Sequence, residues 1–432
     1  MYAESTPRGR GGISIIRISG SEARAILSLL TSKTEWPDHV QKPVVLRDRL
    51  GHTVERGMAV LHPAPRSYTG EDVVEISCHG NPVLVDAVMD MIAATGLARM
   101  AHPGEFTRRA FMNGKMDLAQ AEAVGALIEA GSTCGIHMAG TLLSGDFSRR
   151  VRAMGDEILG LVSGIEASFL TDDAEPDLSG IRDTISSLNR ELDALLAHAE
   201  GAGRRYSGIV TTIAGLPNVG KSSLFNAILG YPRAIVHEES GTTRDVIREH
   251  LVFEGTDFLF HDTAGIRETS SGPEQAGIEK TIEIMRGSHL VLYVVDATLG
   301  LSAEEEQWLD LGERTLVVMN KADLLPEPLY GEHEGRLYVS AKLRLGIREL
   351  LGSMAGSFPA GSPGVFLARH TFLLSRAREN LGRCLEALDA GMTPDVLAMD
   401  LSAAMASLRE ISGDSVGEDV LDRIFSEFCV GK

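Results

Sequence analysis

Cysteine is scarce in this 432-residue chain, and its placement is uninformative for any metal or redox framework. Cys78, Cys134, Cys384 and Cys429 lie far apart with no CxxC between them, which argues against a zinc ribbon or a disulfide scaffold and favours a reducing cytoplasm. No run of about 18 apolar residues occurs and the first residues carry no charged-then-apolar signal pattern, so a soluble, cytoplasmic protein without a membrane span is expected. Positive charge is also short: 41 Lys and Arg stand against 60 Asp and Glu, a net charge of −19. That balance disfavours broad non-specific binding to a polyanion, so any nucleic-acid contact must be local or assisted by a partner. No internal repeat or low-complexity tract stands out, and no GxGxxG dinucleotide fingerprint occurs where a flavin site would need one.

The length allows two to four domains. Residues 1–115 alternate β-prone runs (GISIIRIS, HTVERGMAVLH, EDVVEISCHG) with turns and one helical stretch, Val83 to Ala94, which reads as a small α+β domain. Over 116–206 apolar residues recur at three or four, as Val151, Met154, Ile158, Leu161, Ile165 and Phe169, then Ile181, Ile185, Leu188, Leu192 and Leu195, which predicts long amphipathic helices. Over 207–358 strand-like runs alternate with helical segments, the pattern of a doubly wound α/β sheet. The helical period returns over 359–432, with Leu397, Leu401, Met405, Leu408 and Ile411. The expected architecture is therefore an α+β amino-terminal domain and an all-α helical bundle, with a Ras-like P-loop domain inserted into the bundle. Four domains in tandem is the alternative.

GLPNVGKSS, residues 215–223, follows the strand-like IVTTIA and opens a helical stretch, the context a GxxxxGKS match requires. Gly215 and Gly220 let main-chain amides surround phosphate oxygens, Lys221 neutralises the β- and γ-phosphates, and Ser222 ligates Mg²⁺. Asn218, Val219 and Ser223 complete this loop. Thr243, in GTTRD, is placed to finish the Mg²⁺ shell, and the DTAG run Asp262, Thr263, Ala264, Gly265 suits a metal-holding acid followed by a γ-phosphate amide. Base choice follows from Asn320, Lys321, Ala322 and Asp323: a carboxylate at 323 can accept from both N1–H and the exocyclic amine of guanine, and adenine offers no such pair. Ser340, Ala341 and Lys342 suit the loop that covers the base. The order of these motifs resembles the translation-factor-related GTPases.

The residue after the DxxG glycine is Ile266, which cannot orient water, and no arginine finger is evident. Two residues can share that work. Asn218 carries an amide oxygen able to coordinate a monovalent cation beside the phosphates, completed by carbonyls of the loop His237, Glu238, Glu239, Ser240, Gly241 and Thr242. Glu274, twelve residues after Asp262, is an acid in a Gly/Ser/Pro stretch and otherwise reads as a solvated charge at a helix start.

GRGGISIIRISG, YTGEDVVE, HPGEFTRRAFMNGKMDLAQAEAV, the GTPase motifs, EQAGIE and the terminal FCVGK together resemble the MnmE (TrmE) family of tRNA modification GTPases over nearly the whole chain. The resemblance implies G domains that dimerise across the nucleotide with K⁺ held by Asn218, His237, Glu239 and Thr242, and Glu274 acting on the water. It implies a homodimer through the amino-terminal domain, and 5-formyl-tetrahydrofolate, or a related one-carbon tetrahydrofolate, bound by Arg17, Glu75, Lys115 and the tail at Lys432. It also implies modification of the tRNA wobble uridine at carbon 5 with the flavoprotein MnmG (GidA), in a heterotetramer or larger complex. Cys429 is left with two readings, one chemical and one as packing. A GTPase switch without modification activity would keep the G domain and ignore the folate residues.

Overall fold

The computed structural model describes residues 1–48, 50–168, 178–197, 199, 206, 208–231, 235–238, 249–260, 282–311, 313–358 and 367–432. They form two compact units. One comprises Met1–Ile128, Thr141–Asn189 and Arg376–Lys432, and the other Glu129–Gly140 and Arg190–Ser375.

In the first unit, β1 (Tyr2–Glu4), β2 (Gly11–Ser19), β3 (Lys42–Arg47), β4 (Thr53–His62) and β5 (Val73–Gly80) build a sheet of order β1-β2-β5-β4-β3. Each neighbouring pair is antiparallel. Side chains alternate faces along a strand. Ile16, Ile18, Ala59, Leu61, Val74 and Ile76 therefore share the face that packs on α1 (Ala23–Thr31) and α2 (Pro82–Ala93). The opposite face carries Arg17 and Glu75. Helix α2 starts where Asn-Pro dictates: Asn81 accepts from the Val83 amide and Pro82 occupies the first turn. The single helix expected at 83–94 is thus one of three in this region, with α1 and α3 (Glu105–Met112). Both additional helices are short, and α1 has no side-chain cap to announce it.

The helical part follows as α4 (Leu118–Glu129), α5 (Thr133–Leu143), α6 (Asp146–Ser168) and α7 (Leu178–Leu196), and resumes after the second sheet. Along α6 the buried stripe is Val151, Met154, Ile158, Val162 and Ile165, so Val162 takes the place expected for Leu161. Phe169 lies outside the described residues. Among the later helices, Leu397, Leu401, Ala404, Leu408 and Ile411 line α12 (Pro394–Ser412), with Ala404 rather than Met405 buried, and α6 packs along it. The two flanking segments of sequence thus form one bundle.

The second unit holds an eight-stranded sheet with the order β12-β13-β11-β10-β6-β9-β8-β7. Its strands are β6 (Ile209–Ala214), β7 (Ile235–Glu238), β8 (Glu249–Phe253), β9 (Thr256–Phe260), β10 (Leu290–Asp296), β11 (Thr315–Asn320), β12 (Gly331–His333) and β13 (Arg336–Tyr338). The centre is parallel, with β6 beside β9 and β10, and β11 between β10 and β13. All seven residues of β10 are buried, as a central parallel strand covered on both faces requires. One face packs against α8 (Lys221–Leu229) and α10 (Ile347–Gly356), and the other includes Met285 and Trp308, near the short α9 (Ala303–Glu306). The chain then runs through α11 (Ala368–Asp389) and α12 to α13 (Glu418–Ser426). No helix among the described residues is long and apolar enough to cross a membrane.

Candidate functional site

Strand β6 is buried along nearly its whole length and delivers the chain to the sheet's carboxyl edge at Ala214. A tight turn must then cross neighbouring backbone. Gly215 makes it at φ +139°, where a Cβ would fall 2.2 Å from the Val294 carbonyl oxygen of β10. Asn218 adopts the left-handed conformation at φ +64° and is exposed. Gly220, at φ +98°, leaves room for the Asn320 amide, whose Nδ2 would lie 2.3 Å from a Cβ there. Only glycine tolerates such φ values together with such approaches. Helix α8 then begins, with Lys221, Ser222 and Ser223 in the first turn, where the helix dipole and the direction of the first-turn amides favour an anion. The Lys221 ammonium donates to the carbonyls of Gly215 at 2.9 Å and Leu216 at 2.8 Å, and burial holds its pKa below that of an ordinary lysine.

The base-recognition residues meet this loop because β10 and β11 end in register, Asp296 opposite Asn320. Asn320 is 2% exposed; its Nδ2 donates to the Val219 carbonyl at 2.9 Å and its Oδ1 accepts from the Ala341 amide at 3.0 Å. One side chain thereby ties the phosphate loop to the loop Ser340–Lys342. Lys321 is left-handed, φ +62°, and its ammonium lies 2.7 Å from Asp296 Oδ2. Burial alone would raise the Asp296 carboxyl, but hydrogen bonds from Lys321 and from the hydroxyl and amide of Thr298 bring it below the usual carboxylate range. Asp323 stands half-buried in the single turn Ala322–Leu324, and its carboxylate makes no hydrogen bond among the described residues. Ser340 is fully buried and its hydroxyl accepts from the Leu343 amide, whereas Lys342 is exposed.

The structure therefore brings Asn218–Ser223, Asn320–Asp323 and Ser340–Lys342 together. His237 and Glu238 sit in edge strand β7, opposite His250 and Glu249 of β8. Glu239, Ser240, Gly241, Thr242, Thr243, Asp262, Thr263, Ala264, Gly265, Ile266 and Glu274 lie outside the described residues. Sequence reasoning missed Asp296. Its signal was an acid ending the apolar run LVLYVVD, which sheet register alone sets beside the Asn-Lys pair.

A second constellation occupies the open face of the first sheet. Arg17 and Glu75 are direct partners across β2 and β5, with Arg17 Nη2 at 2.8 Å and Nε at 3.0 Å from Glu75 Oε1. The guanidinium lies 5.4 Å from the Tyr68 ring centre and 5.6 Å from that of Phe106, a cation–π arrangement. The carboxyl-terminal tail closes in from above α3. The Phe106 amide donates to the Lys432 carbonyl, the Gly104 amide to that of Cys429, and Ser5 Oγ and Arg17 Nη1 to that of Gly431. Phe425 anchors the tail among Phe111, Leu118 and Phe428, and the Cys429 thiol is exposed. Lys115 instead donates to the Pro65 carbonyl, on the loop that leads to Tyr68. Tyr68 and Phe106 escaped the sequence reading because an aromatic beside a strand or inside a helix usually reads as core.

Comparison with known proteins agrees over the full length. The family described as GTP-binding protein TrmE N-terminus matches residues 1–115, and that described as MnmE helical domain matches 118–429. The tRNA modification GTPase MnmE of Desulforamulus reducens is 37% identical over 458 residues, covering 100% of this chain and 99% of that protein. That of Moorella thermoacetica is 38% identical over 457 residues, covering 100% and 98%. Aquifex aeolicus Era bound to GDP.AlF4⁻ aligns with 40% of this chain and 66% of that one at 21% identity, with a TM-score of only 0.27. On the full-length identity and the two family matches, this chain belongs to the MnmE (TrmE) family of tRNA modification GTPases.

Proposed function

We propose that this protein is a potassium-dependent GTPase that acts with a flavoprotein partner, as a homodimer, in modification of the tRNA wobble uridine at carbon 5, drawing on a tetrahydrofolate one-carbon donor. The observation that carries the nucleotide half is Asn320, a buried side chain that joins the phosphate loop to the base loop beside an Asp323 carboxylate that makes no hydrogen bond among the described residues. A carboxylate at that place suits guanine, which offers two adjacent donors to it.

In the proposed reaction a water attacks the γ-phosphorus, the bond to the β–γ bridging oxygen breaks, and GDP and phosphate leave. Lys221 and the first-turn amides of α8 offset charge on the phosphates, and Glu274 orients the water. Ser222 and Thr243 would hold Mg²⁺. Asn218, with carbonyls of His237, Glu239 and Thr242, would hold K⁺, and the Asn218 amide suits this because it is exposed and makes no hydrogen bond among the described residues. When bound, K⁺ would supply the positive charge that an arginine finger supplies in other GTPases, and Mg²⁺ would offset charge on the phosphates.

What supports the folate half is the pairing of a carboxylate and a guanidinium between two aromatic rings, with the tail's main chain alongside. Glu75 can accept from the aminopyrimidine edge of a pterin while Arg17 meets its carbonyl. GTP turnover by purified protein in KCl and in NaCl tests the first half. Equal rates in the two salts, or full activity of Glu274→Ala in KCl, would refute the mechanism.

A further inference from the structure

The open face of the first sheet continues beyond Arg17 and Glu75. Register places Ile15, Ser77 and Met58 in the next row, and His79 lies two residues further along β5. Residues i, i+2 and i+4 share a face, so His79 stands about 13–14 Å along the strand from Glu75. There the sheet end and the start of β3 enclose a groove of ≈ 880 Å³. Ile13 and Met58 give it an apolar floor, and Lys33, Arg47, Arg56 and His79 line it with cationic or cationisable groups.

The groove is built rather than merely charged. Glu55, whose side chain is 5% exposed and which does not line the groove, accepts from the amides of Arg56 and His79 and from His79 Nδ1 at 3.0 Å. That carboxylate fixes the imidazole with its Nδ1 occupied, and the His79 side chain is otherwise 74% exposed. Lys33 is steered by the Pro43 carbonyl and the Trp36 ring, and Arg47 by the Gly51 carbonyl. Arg56 forms no ion pair among the described residues. Four donors along an apolar trough, three of them with fixed side chains and with no carboxylate among the lining residues, suit a flexible chain carrying one carboxylate per unit.

We propose that this groove binds the poly-γ-glutamyl tail of the folate whose pterin sits at Arg17 and Glu75. The inference rests on the folate reading above. A folate runs linearly from pterin through benzoate to glutamate, and with the ring at Glu75 and the benzoate laid along β5 toward the groove its first carboxylates fall near His79 and Arg56. Further γ-linked glutamates then reach Arg47 and Lys33. The strongly acidic chain as a whole makes a polynucleotide the poorer occupant of the same cations.

The test compares 5-formyl-tetrahydrofolate as monoglutamate and as pentaglutamate on the full-length protein by titration calorimetry. The pentaglutamate is expected to bind about tenfold more tightly, as several exposed ion pairs together allow. In Arg47→Ala/Arg56→Ala that advantage should vanish while monoglutamate affinity stays within about twofold. Equal affinity for the two folates, or an advantage that survives in the double variant, overturns the proposal. So does a loss of tRNA affinity in the variant with no dependence on glutamate number, which would give the groove to phosphate. If the monoglutamate itself fails to bind, the folate reading falls and takes this inference with it.

Discussion

Asn320 and Val219, a hundred and one residues apart, are joined by a hydrogen bond of 2.9 Å from the asparagine amide to the valine carbonyl. The same side chain accepts from the Ala341 amide, so both its ends are spent on holding two loops at one spacing. Asn320→Ala would leave a buried carbonyl and a buried amide without partners, at about 1–3 kcal/mol each. Affinity for a fluorescent GDP analogue should fall at least about tenfold, with a lower thermal midpoint. Unchanged affinity would show that the loops hold themselves.

Glu105 is expected to contribute to the acid sensitivity of the amino-terminal region. Burial by itself would raise its carboxyl, but hydrogen bonds from Arg99, the His102 amide and Arg109 bring it from 4.5 down to about 2. A carboxyl depressed in the folded state contributes stability above its unfolded pKa and loses it as pH falls. The contribution should be complete above about pH 5 and decline from there toward pH 2. Arg99 is more than half exposed, which discounts the gain to about 1–3 kcal/mol. Thermal midpoints of wild type and Glu105→Gln recorded between pH 6 and 3 should converge as the pH drops. A constant gap across that range would place the stabilisation elsewhere.

Arg17→Ala removes the guanidinium between Tyr68 and Phe106 and leaves Glu75 unpaired. Binding of 5-formyl-tetrahydrofolate should drop by about a hundredfold or more, as loss of a partly buried charged partner implies, while basal GTP turnover in KCl persists. Parallel loss of both activities would point to general destabilisation, which a melting curve on the same sample would reveal.

Leu401 is fully buried on α12 where it packs in the bundle, and Leu401→Ala should cost about 2–5 kcal/mol through lost transfer energy and the cavity left behind. Urea unfolding is the measurement. A change below 0.5 kcal/mol, the rough range for surface sites, would mean that the helix face had repacked without consequence.

What could be read in advance was what is local. GLPNVGKSS announces its turn and helix because the glycines, the lysine and the hydroxyls act within nine residues, and the structure has the turn and helix α8 there. The helical segments declared themselves through the 3.6-residue period, yet their phase slipped where two apolar residues adjoin, at Leu161 and Val162 and at Ala404 and Met405. Periodicity narrows the buried stripe to a face, and the neighbour's shape selects the residue. Helix α1 went unread because a nine-residue segment without a cap or basic end gives little more signal than an apolar strand.

The chain's own sequence determined that there is a phosphate loop, a guanine-type motif, two helical stretches around them and no excess of positive charge, since each is a property of composition or of near neighbours. Only the tertiary structure decided that Arg17 pairs with Glu75 directly across β2 and β5, that Asp296 steadies Lys321, and that the Phe106 and Gly104 amides hold the main chain of the last four residues. These contacts are set by strand register and by where a terminal helix finds a hydrophobic seat. Both are settled by packing energy summed over many residues, which no short stretch of sequence contains.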